Sequence, residues 1–350
     1  MTEQEKKCPE CEAMDGVDRR HFLTMVGGTA VTLASLEAVP QAAKMLGAQQ
    51  PPQPGQQAGS SKPAEALIRE LYQGLSAEQR RQVVMPWDHV APNQTIPTRK
   101  RMYNASINQH RIGTTYTRPQ QELVGRILRS ISSDEEGYTR LTRNGTYDGS
   151  GSFGNCGAHI FGDPTGNQQF AWVFTGHHLT VRCDGNSEPD AAFGGPMYYG
   201  HSPDGFSPRN IFNFQTRTVL QVYDALSEQQ RRRAIIATNP GEHEASVRFR
   251  NEGYPGIPGS DLTPDQRSLV QQVMRDLLSP YRREDADEVM DIVRRNGGME
   301  RIHLGFFRGA NTPNSRWDFW RLEGPGFVWN FRVLPHVHCY VNIAVPAARG

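Results

Sequence analysis

The stretch PQQELVGRILRSI, residues 119–131, recurs in the second half of the chain as DQRSLVQQVMRDL, residues 265–277, and the two align without a gap. In both copies apolar residues recur at intervals of three and four, which is the pattern of an amphipathic α-helix with one buried face. The second copy also has helix-start signals, because Thr263 and Pro264 precede Gln266 at capping-box spacing. The sequence therefore predicts two related helices.

A second pair of similar segments follows these helices. WVFTGHHLTVRC, residues 172–183, aligns with WRLEGPGFVWNF, residues 320–331, and each reads as two short apolar runs around a glycine turn. Such runs are typical of a β-hairpin. A helix and a hairpin repeated in the same order indicate duplication. The predicted fold class is α+β, with two pseudo-repeat halves, about residues 117–183 and 262–340, each an amphipathic helix plus an antiparallel β-hairpin, sharing one core.

The remaining chain divides into a leader, a linker and one domain. Residues 1–45 contain VDRRHFLTMVGGTAVTLASL, in which Arg19 and Arg20 precede an uncharged, mildly apolar run. This resembles a twin-arginine signal, which predicts the Tat export machinery as a partner and a periplasmic or cell-envelope location, anchored if the signal is not cleaved. Residues 46–63 form a linker rich in Pro, Gln, Gly and Ser. Residues 64–350 form the predicted duplicated domain, with no membrane span beyond the signal.

Bulk composition excludes several classes of function. The 350 residues are 37% hydrophobic and 21% charged, enough for one large domain or two small ones with a proper core. The formal net charge is +1 and the basic residues are scattered, so no nucleic-acid partner is predicted. GSGSFG, residues 149–154, lacks the strand and helix of a dinucleotide fingerprint, and no Walker A loop is present. No nucleotide cofactor is therefore predicted.

Histidines occur in two tight pairs, GHHL at residues 176–179 and PHVHCYVN at residues 335–342. In a strand, His336 and His338 point to the same face and can present two imidazoles to one ion. His177 and His178 are adjacent and would point in opposite directions, so one of them is the third ligand. We assign His177 to the metal with His336 and His338, and assign proton transfer to His178 and Glu323. Cys339, Glu323 and His201 are reserve ligands.

Three imidazoles suit one transition-metal ion, zinc or copper, and a fourth position left for water would make the site catalytic. The leading prediction is an exported metal-dependent hydrolase or oxidoreductase that acts on a small molecule, with its site between the two halves. The alternative is a non-catalytic envelope or periplasmic protein that binds a ligand or is structural, in which the histidines hydrogen-bond carbonyl groups at hairpin ends. Whether the protein is an enzyme stays open at this point.

The predicted domain has three cysteines, Cys156, Cys183 and Cys339. An odd number in an oxidising compartment fits one disulfide plus one free or liganded thiol, and it also fits three unpaired thiols.

Several blocks in a fixed order resemble one bacterial family, the domain of unknown function 3500. They are MPWDH (85–89), RIGTTYTRPQQELV (111–124), GHHL, PGIPGSDLTPDQRSLV (255–270), RLEGP (321–325) and HVH (336–338). The resemblance runs from about residue 67 onward. It implies a shared fold and makes His177, His178, His336 and His338 features of the family, without supplying an activity. The family tends to continue after HVH with an aromatic-Arg-Asp run, where this chain has Cys339-Tyr340-Val341-Asn342.

Overall fold

The computed structural model of the protein describes residues 63–239, 241–242, 248–250, 252–308 and 317–346. The predicted signal region, residues 1–45, and the predicted linker up to residue 62 lie outside the described residues. The described part combines helices with one large mixed sheet. The predicted α+β class is therefore confirmed.

The helices include both of those predicted from the repeated segment. In chain order they are α1 (Ala64–Gln73), α2 (Ala77–Val83), α3 (Ile112–Thr115), α4 (Arg118–Ser130), α5 (Glu135–Thr142), α6 (Asn213–Ala225), α7 (Glu228–Ala234), α8 (Pro264–Leu278) and α9 (Arg283–Arg295). Helices α4 and α8 begin at capping boxes, in which Thr117 pairs with Gln120 and Thr263 with Gln266. Each box satisfies backbone N–H groups that the first turn leaves without a helical partner.

The strands belong to a single eleven-stranded sheet. They are β1 (Val84–Met85), β2 (Gly157–Gly162), β3 (Phe170–Gly176), β4 (Leu179–Cys183), β5 (Met197–His201), β6 (Ile235–Ile236), β7 (Ile257–Pro258), β8 (His303–Phe307), β9 (Phe319–Gly324), β10 (Phe327–Arg332) and β11 (Val337–Ile343). Their spatial order is β1-β2-β3-β4-β5-β11-β10-β9-β8-β6, with β7 beside β8. The predicted hairpins are β3–β4 and β9–β10, and both are antiparallel.

The two faces of the sheet differ in chemistry. Alternate residues of β11, such as Cys339 and Val341, join the main hydrophobic core together with side chains of α1, α4, α6, α8 and α9. The residues between them, His338 and Tyr340, lie on the opposite face, as the strand period of two requires. That opposite face is also buried, and it carries Arg182, Tyr198, Arg321, Asn330 and Arg332. We call it the polar face.

Cys156, Cys183 and Cys339 are buried, and each is a free thiol. Of the two arrangements that the sequence allows, the structure has three unpaired cysteines. Burial raises the pKa of the Cys156 and Cys339 thiols to about 12, so both are held as neutral thiols. None of the helices in the described ranges is long and apolar enough to cross a membrane.

Candidate functional site

The two histidine pairs meet on the polar face because β5 lies between β4 and β11. One row across these strands consists of Leu179, Tyr199 and Cys339. In the next row, the Gly200 amide donates to the His178 carbonyl at 3.0 Å, and Gly200 pairs with His338. Gly200 has no side chain, so the rings of His178 and His338 approach one another with centroids 4.9 Å apart.

His336 completes a triangle of imidazoles. Its ring centroid lies 4.7 Å from that of His178 and 4.7 Å from that of His338. One ring nitrogen from each of the three lies within 4.8 Å of the others. His336 Nε2 and His338 Nε2 are 2.9 Å apart, and nitrogens on one tetrahedral zinc ion stand about 3.4 Å apart. Small ring movements would therefore let His178, His336 and His338 hold one metal ion.

Asp148 fixes the orientation of His178. Its Oδ2 lies 2.8 Å from His178 Nδ1, and its Oδ1 lies 2.7 Å from His201 Nδ1. A carboxylate accepts hydrogen bonds, so the proton of each imidazole is on Nδ1 and Nε2 of His178 keeps its lone pair. Burial would raise the pKa of the Asp148 carboxyl, but these two hydrogen bonds and the Arg143 charge hold it below the ordinary value.

Glu242 fixes the orientation of His338 in the same way. Glu242 Oε2 lies 3.2 Å from His338 Nδ1, and the Tyr340 hydroxyl lies 3.5 Å from the same nitrogen. His338 Nε2 is therefore the nitrogen that faces His336. Carboxylates that fix the tautomer of a ligating histidine are a regular feature of metal sites, since they also make the imidazole a better donor.

Arg332 contacts the Nε2 atoms of His336 and His338. Its Nη2 is 3.0 Å from His338 Nε2 and 3.3 Å from His336 Nε2, and its Nη1 forms an ion pair with Glu242. A guanidinium donates and does not accept, so both Nε2 atoms present lone pairs to it. The site therefore has converging lone pairs that attract a cation.

All three imidazoles are neutral at physiological pH. Burial lowers the pKa of His178 and His338 well below the ordinary histidine value, and it lowers the pKa of His336 to about 3, with the Arg332 charge as the next cause for His336 and His338. Neutral imidazole is the form that binds a metal ion. His178 and His338 are each 1% exposed, whereas His336 is half-buried.

The structure places His177 beside the triangle of imidazoles formed by His178, His336 and His338. Its ring packs on that of His178 with centroids 3.8 Å apart, and its Nδ1 accepts a hydrogen bond of 3.0 Å from the Gly149 amide. His177 belongs instead to a second group, with Asp148 and His178, whose ligand atoms also lie within 4.8 Å of one another. Thus His178, to which we assigned proton transfer on sequence, belongs to the same cluster as His336 and His338.

Glu323 lies on the polar face at a distance from the histidines. It is two strands from His338 and four residues further along, about 16 Å by strand geometry. Its carboxylate is within 2.9 Å of Arg321 Nε and 2.7 Å of Arg250 Nε. Of the reserve ligands, Cys339 points into the core, and His201 is bonded to Asp148.

Sequence reasoning missed Asp148, Glu242 and Arg332. Asp148 lies in the loop TRNGTYDGS, where Arg143, Asn144, Tyr147 and Asp148 all have positive φ. Non-glycine residues in this conformation are strained and cluster at functional sites, but the strain is a property of the folded backbone. Glu242 is 96 residues from His338 in the sequence, and no spacing rule joins the two.

Comparison with known proteins gives one match. The profile of the family described as "Protein of unknown function (DUF3500)" matches residues 57–344. No curated protein and no solved structure matches the chain. The matched range spans the whole described part of the sheet and both histidine pairs, in agreement with the resemblance of the sequence blocks. The chain therefore belongs to the DUF3500 family.

Proposed function

We propose that the protein binds one transition-metal ion, zinc or copper, through His178, His336 and His338. The observation that carries the proposal is the convergence of three neutral imidazoles, two of which have a carboxylate on Nδ1 that leaves Nε2 directed at the others. Imidazole donors suit both zinc and copper. The proposed ligand set differs from that chosen on sequence by replacing His177 with His178.

We further propose that the ion is catalytic and that the protein is a metal-dependent hydrolase acting on a small molecule. Three protein ligands leave a position for water or substrate, and half-buried His336 gives access to it. A zinc ion in such a site would activate water or polarise a substrate oxygen. Arg332, held by Glu242, supports this reading, because a fixed guanidinium beside the ion stabilises an oxygen that gains negative charge. Copper in the same ligands would instead favour an oxidoreductase.

One observation favours the non-catalytic alternative. Arg332 Nη2 already donates to the lone pairs of His336 and His338, so the two imidazoles have a partner without any metal ion. Under that reading the histidines position a guanidinium that binds an anionic ligand. Metal content separates the two proposals.

The test is elemental analysis of protein purified without a histidine tag. We expect about one zinc or copper ion per chain. His338→Gln should abolish it, and His303→Gln, a change on β8 of the same sheet, should retain it. His178→Gln should also abolish the bound metal, whereas His177→Gln should retain it. This pair of variants identifies the third ligand. Absence of metal from every variant, even after incubation with zinc and with copper, would leave the alternative standing.

A cobalt-substituted sample tests the open position. Co²⁺ in a four-coordinate site absorbs visible light strongly, and azide bound to an exchangeable position changes that spectrum. A spectral change with azide supports a catalytic site, and an inert spectrum identifies a closed, structural one.

We also propose that the protein is exported by the twin-arginine route to the periplasm or cell envelope. The support is the sequence around Arg19 and Arg20, which lies outside the described residues. Replacing both arginines with lysine should leave the protein in the cytoplasmic fraction of fractionated cells. Unchanged export of that variant would contradict the proposal.

We propose, finally, that the domain arose by duplication. Its two halves use the same hydrogen bonds: Gln120 donates to Gln79 and to the Gly74 carbonyl, and Gln266 donates to Gln230 and to the Ala225 carbonyl. Short strand β1 runs parallel to β2, as β6 does to β8. A chain in which SAEQRRQV (76–83) is replaced by SEQQRRRA (227–234) should still fold. Failure to fold would show that the segments are not equivalent.

A further inference from the structure

His178 has two ring nitrogens, and each belongs to a different group of donors. Nε2 is the nitrogen left for His336 and His338, while Nδ1 faces Asp148 at 2.8 Å. Asp148 and His177 form the second group with His178, and the ligand atoms of that group also lie within 4.8 Å of one another. A neutral imidazole that loses its one N–H proton becomes an imidazolate. An imidazolate can bridge two ions, with one ion on each nitrogen.

We propose that Asp148, His177 and His178 form a second metal site, for a divalent ion such as zinc, which shares the His178 imidazole with the first ion. This inference rests on the first site proposed above. Binding of the second ion replaces the Nδ1 proton of His178, which is released to water. The result is a two-metal centre in which only the second ion has a carboxylate ligand.

The donor atoms of this second group can exchange their present hydrogen bonds for bonds to an ion. His178 Nδ1 and Asp148 Oδ2 are 2.8 Å apart, so a movement of about 0.5 Å would bring them to the separation of two ligand atoms on one zinc ion. His201 holds the other oxygen of Asp148 at 2.7 Å, which keeps Oδ2 turned toward His178. His177 Nδ1 accepts a hydrogen bond and so carries a lone pair. Its donor, Gly149, is exposed and can turn to water instead.

Arg143 lies beside the second site, which is the weaker of the two. Its side chain is fully buried, its Nε lies 3.4 Å from Asp148 Oδ2, and it donates to the carbonyls of Leu141 and His177. Arg332 places a similar charge beside the first site, so charge alone does not rank the two sites. The second ion must in addition displace the Nδ1 proton of His178 and the Gly149 hydrogen bond, which the first ion need not do. We therefore expect the first site to fill before the second as the metal concentration rises.

The experiment is a zinc titration of untagged, chelator-treated protein followed by gel filtration and elemental analysis. At saturation we expect about two ions per chain in the wild type, and about one in His177→Gln and in His338→Gln. His177 is half-buried at a turn, so its replacement should not prevent folding. A wild type that stops at one ion, lost in His338→Gln and kept in His177→Gln, overturns the second site and leaves the first intact. A wild type without any ion overturns both.

Copper loading gives a second readout that needs no variant. Two Cu²⁺ ions joined by an imidazolate couple their electron spins, so a fully loaded sample should lose most of its electron paramagnetic resonance signal. Loading the weaker site with zinc should restore the signal of one isolated copper ion. A full, uncoupled signal from two bound copper ions would overturn the shared histidine.

Discussion

Replacing Asp148 with asparagine tests the role of the carboxylate in the site. Asp148 accepts hydrogen bonds from His178 Nδ1 at 2.8 Å and from His201 Nδ1 at 2.7 Å. An asparagine keeps the shape but has one acceptor oxygen and one NH₂ group. If the oxygen accepts from His201, the NH₂ group faces His178 and forces its proton from Nδ1 to Nε2. His178 would then lose the lone pair that we assign to the first ion.

The magnitude follows from two contributions. Loss of a partner that orients a ligating histidine weakens metal binding about 10–100-fold, or about 1.4–2.7 kcal/mol. The same change removes the negative charge beside the buried Arg143 guanidinium. An unpaired buried charge costs about 3–5 kcal/mol, so the metal-free variant should also be less stable than the wild type.

The assay is zinc competition with a chromophoric chelator, accompanied by urea unfolding of the metal-free proteins. His201→Gln is the matched control, because it removes the other partner of Asp148 and leaves the bond to His178. We expect a large loss of zinc affinity in Asp148→Asn and a much smaller one in His201→Gln. Equal zinc affinity in Asp148→Asn and the wild type, in folded protein, would refute the reasoning.

Three further changes have outcomes set by the structure. Gly200→Ala places a Cβ 2.4 Å from the Val337 carbonyl oxygen and 3.0 Å from the His338 ring, so it should destabilise the protein by about 1–3 kcal/mol and weaken metal binding; unchanged zinc competition would contradict this. Asn330 is fully buried, and neither of its amide atoms has a hydrogen-bond partner among the described residues, so Asn330→Leu should raise the urea midpoint, whereas a lower midpoint would point to an unrecognised partner. Burial, with a smaller effect of the His110 charge, lowers the pKa of His159 to about 3. Because this folded-state pKa lies below that of the unfolded chain, stability falls as pH drops below about 6.5, and His159→Gln should lose about 2 kcal/mol less than the wild type between pH 6.5 and 4.5; equal losses in urea titrations would contradict it.

Much of the local structure could be predicted from the sequence. The repeated apolar spacing predicted α4 and α8, and the Thr263 cap predicted the start of α8, because helix period and capping act within a few residues of one another. The paired apolar runs around Gly176 and Gly324 predicted the hairpins β3–β4 and β9–β10 for the same reason. The spacing of His336 and His338 also indicated two imidazoles on one face of a strand.

The third histidine was beyond such reasoning. A strand alternation rule offered His177 or His178 and gave no basis for choosing, since His178 lies in the turn with a φ of 54° and not in the strand. The choice depends on the row through Gly200, which exists only when β5 pairs with both β4 and β11. Glu323 was predicted to take part in proton transfer, and the sheet carries it about 16 Å from His338.

The sequence by itself determined the elements of this protein: the amphipathic helices, the hairpins, the histidine pairs and the family to which the chain belongs. Only the tertiary structure decided which imidazoles meet and which groups hold them, namely Asp148 for His178 and Glu242 for His338. The physical reason is range. Helix periodicity and turn chemistry are local, whereas a buried carboxylate meets its histidine through strand order and backbone conformation, which depend on contacts between residues far apart in the chain.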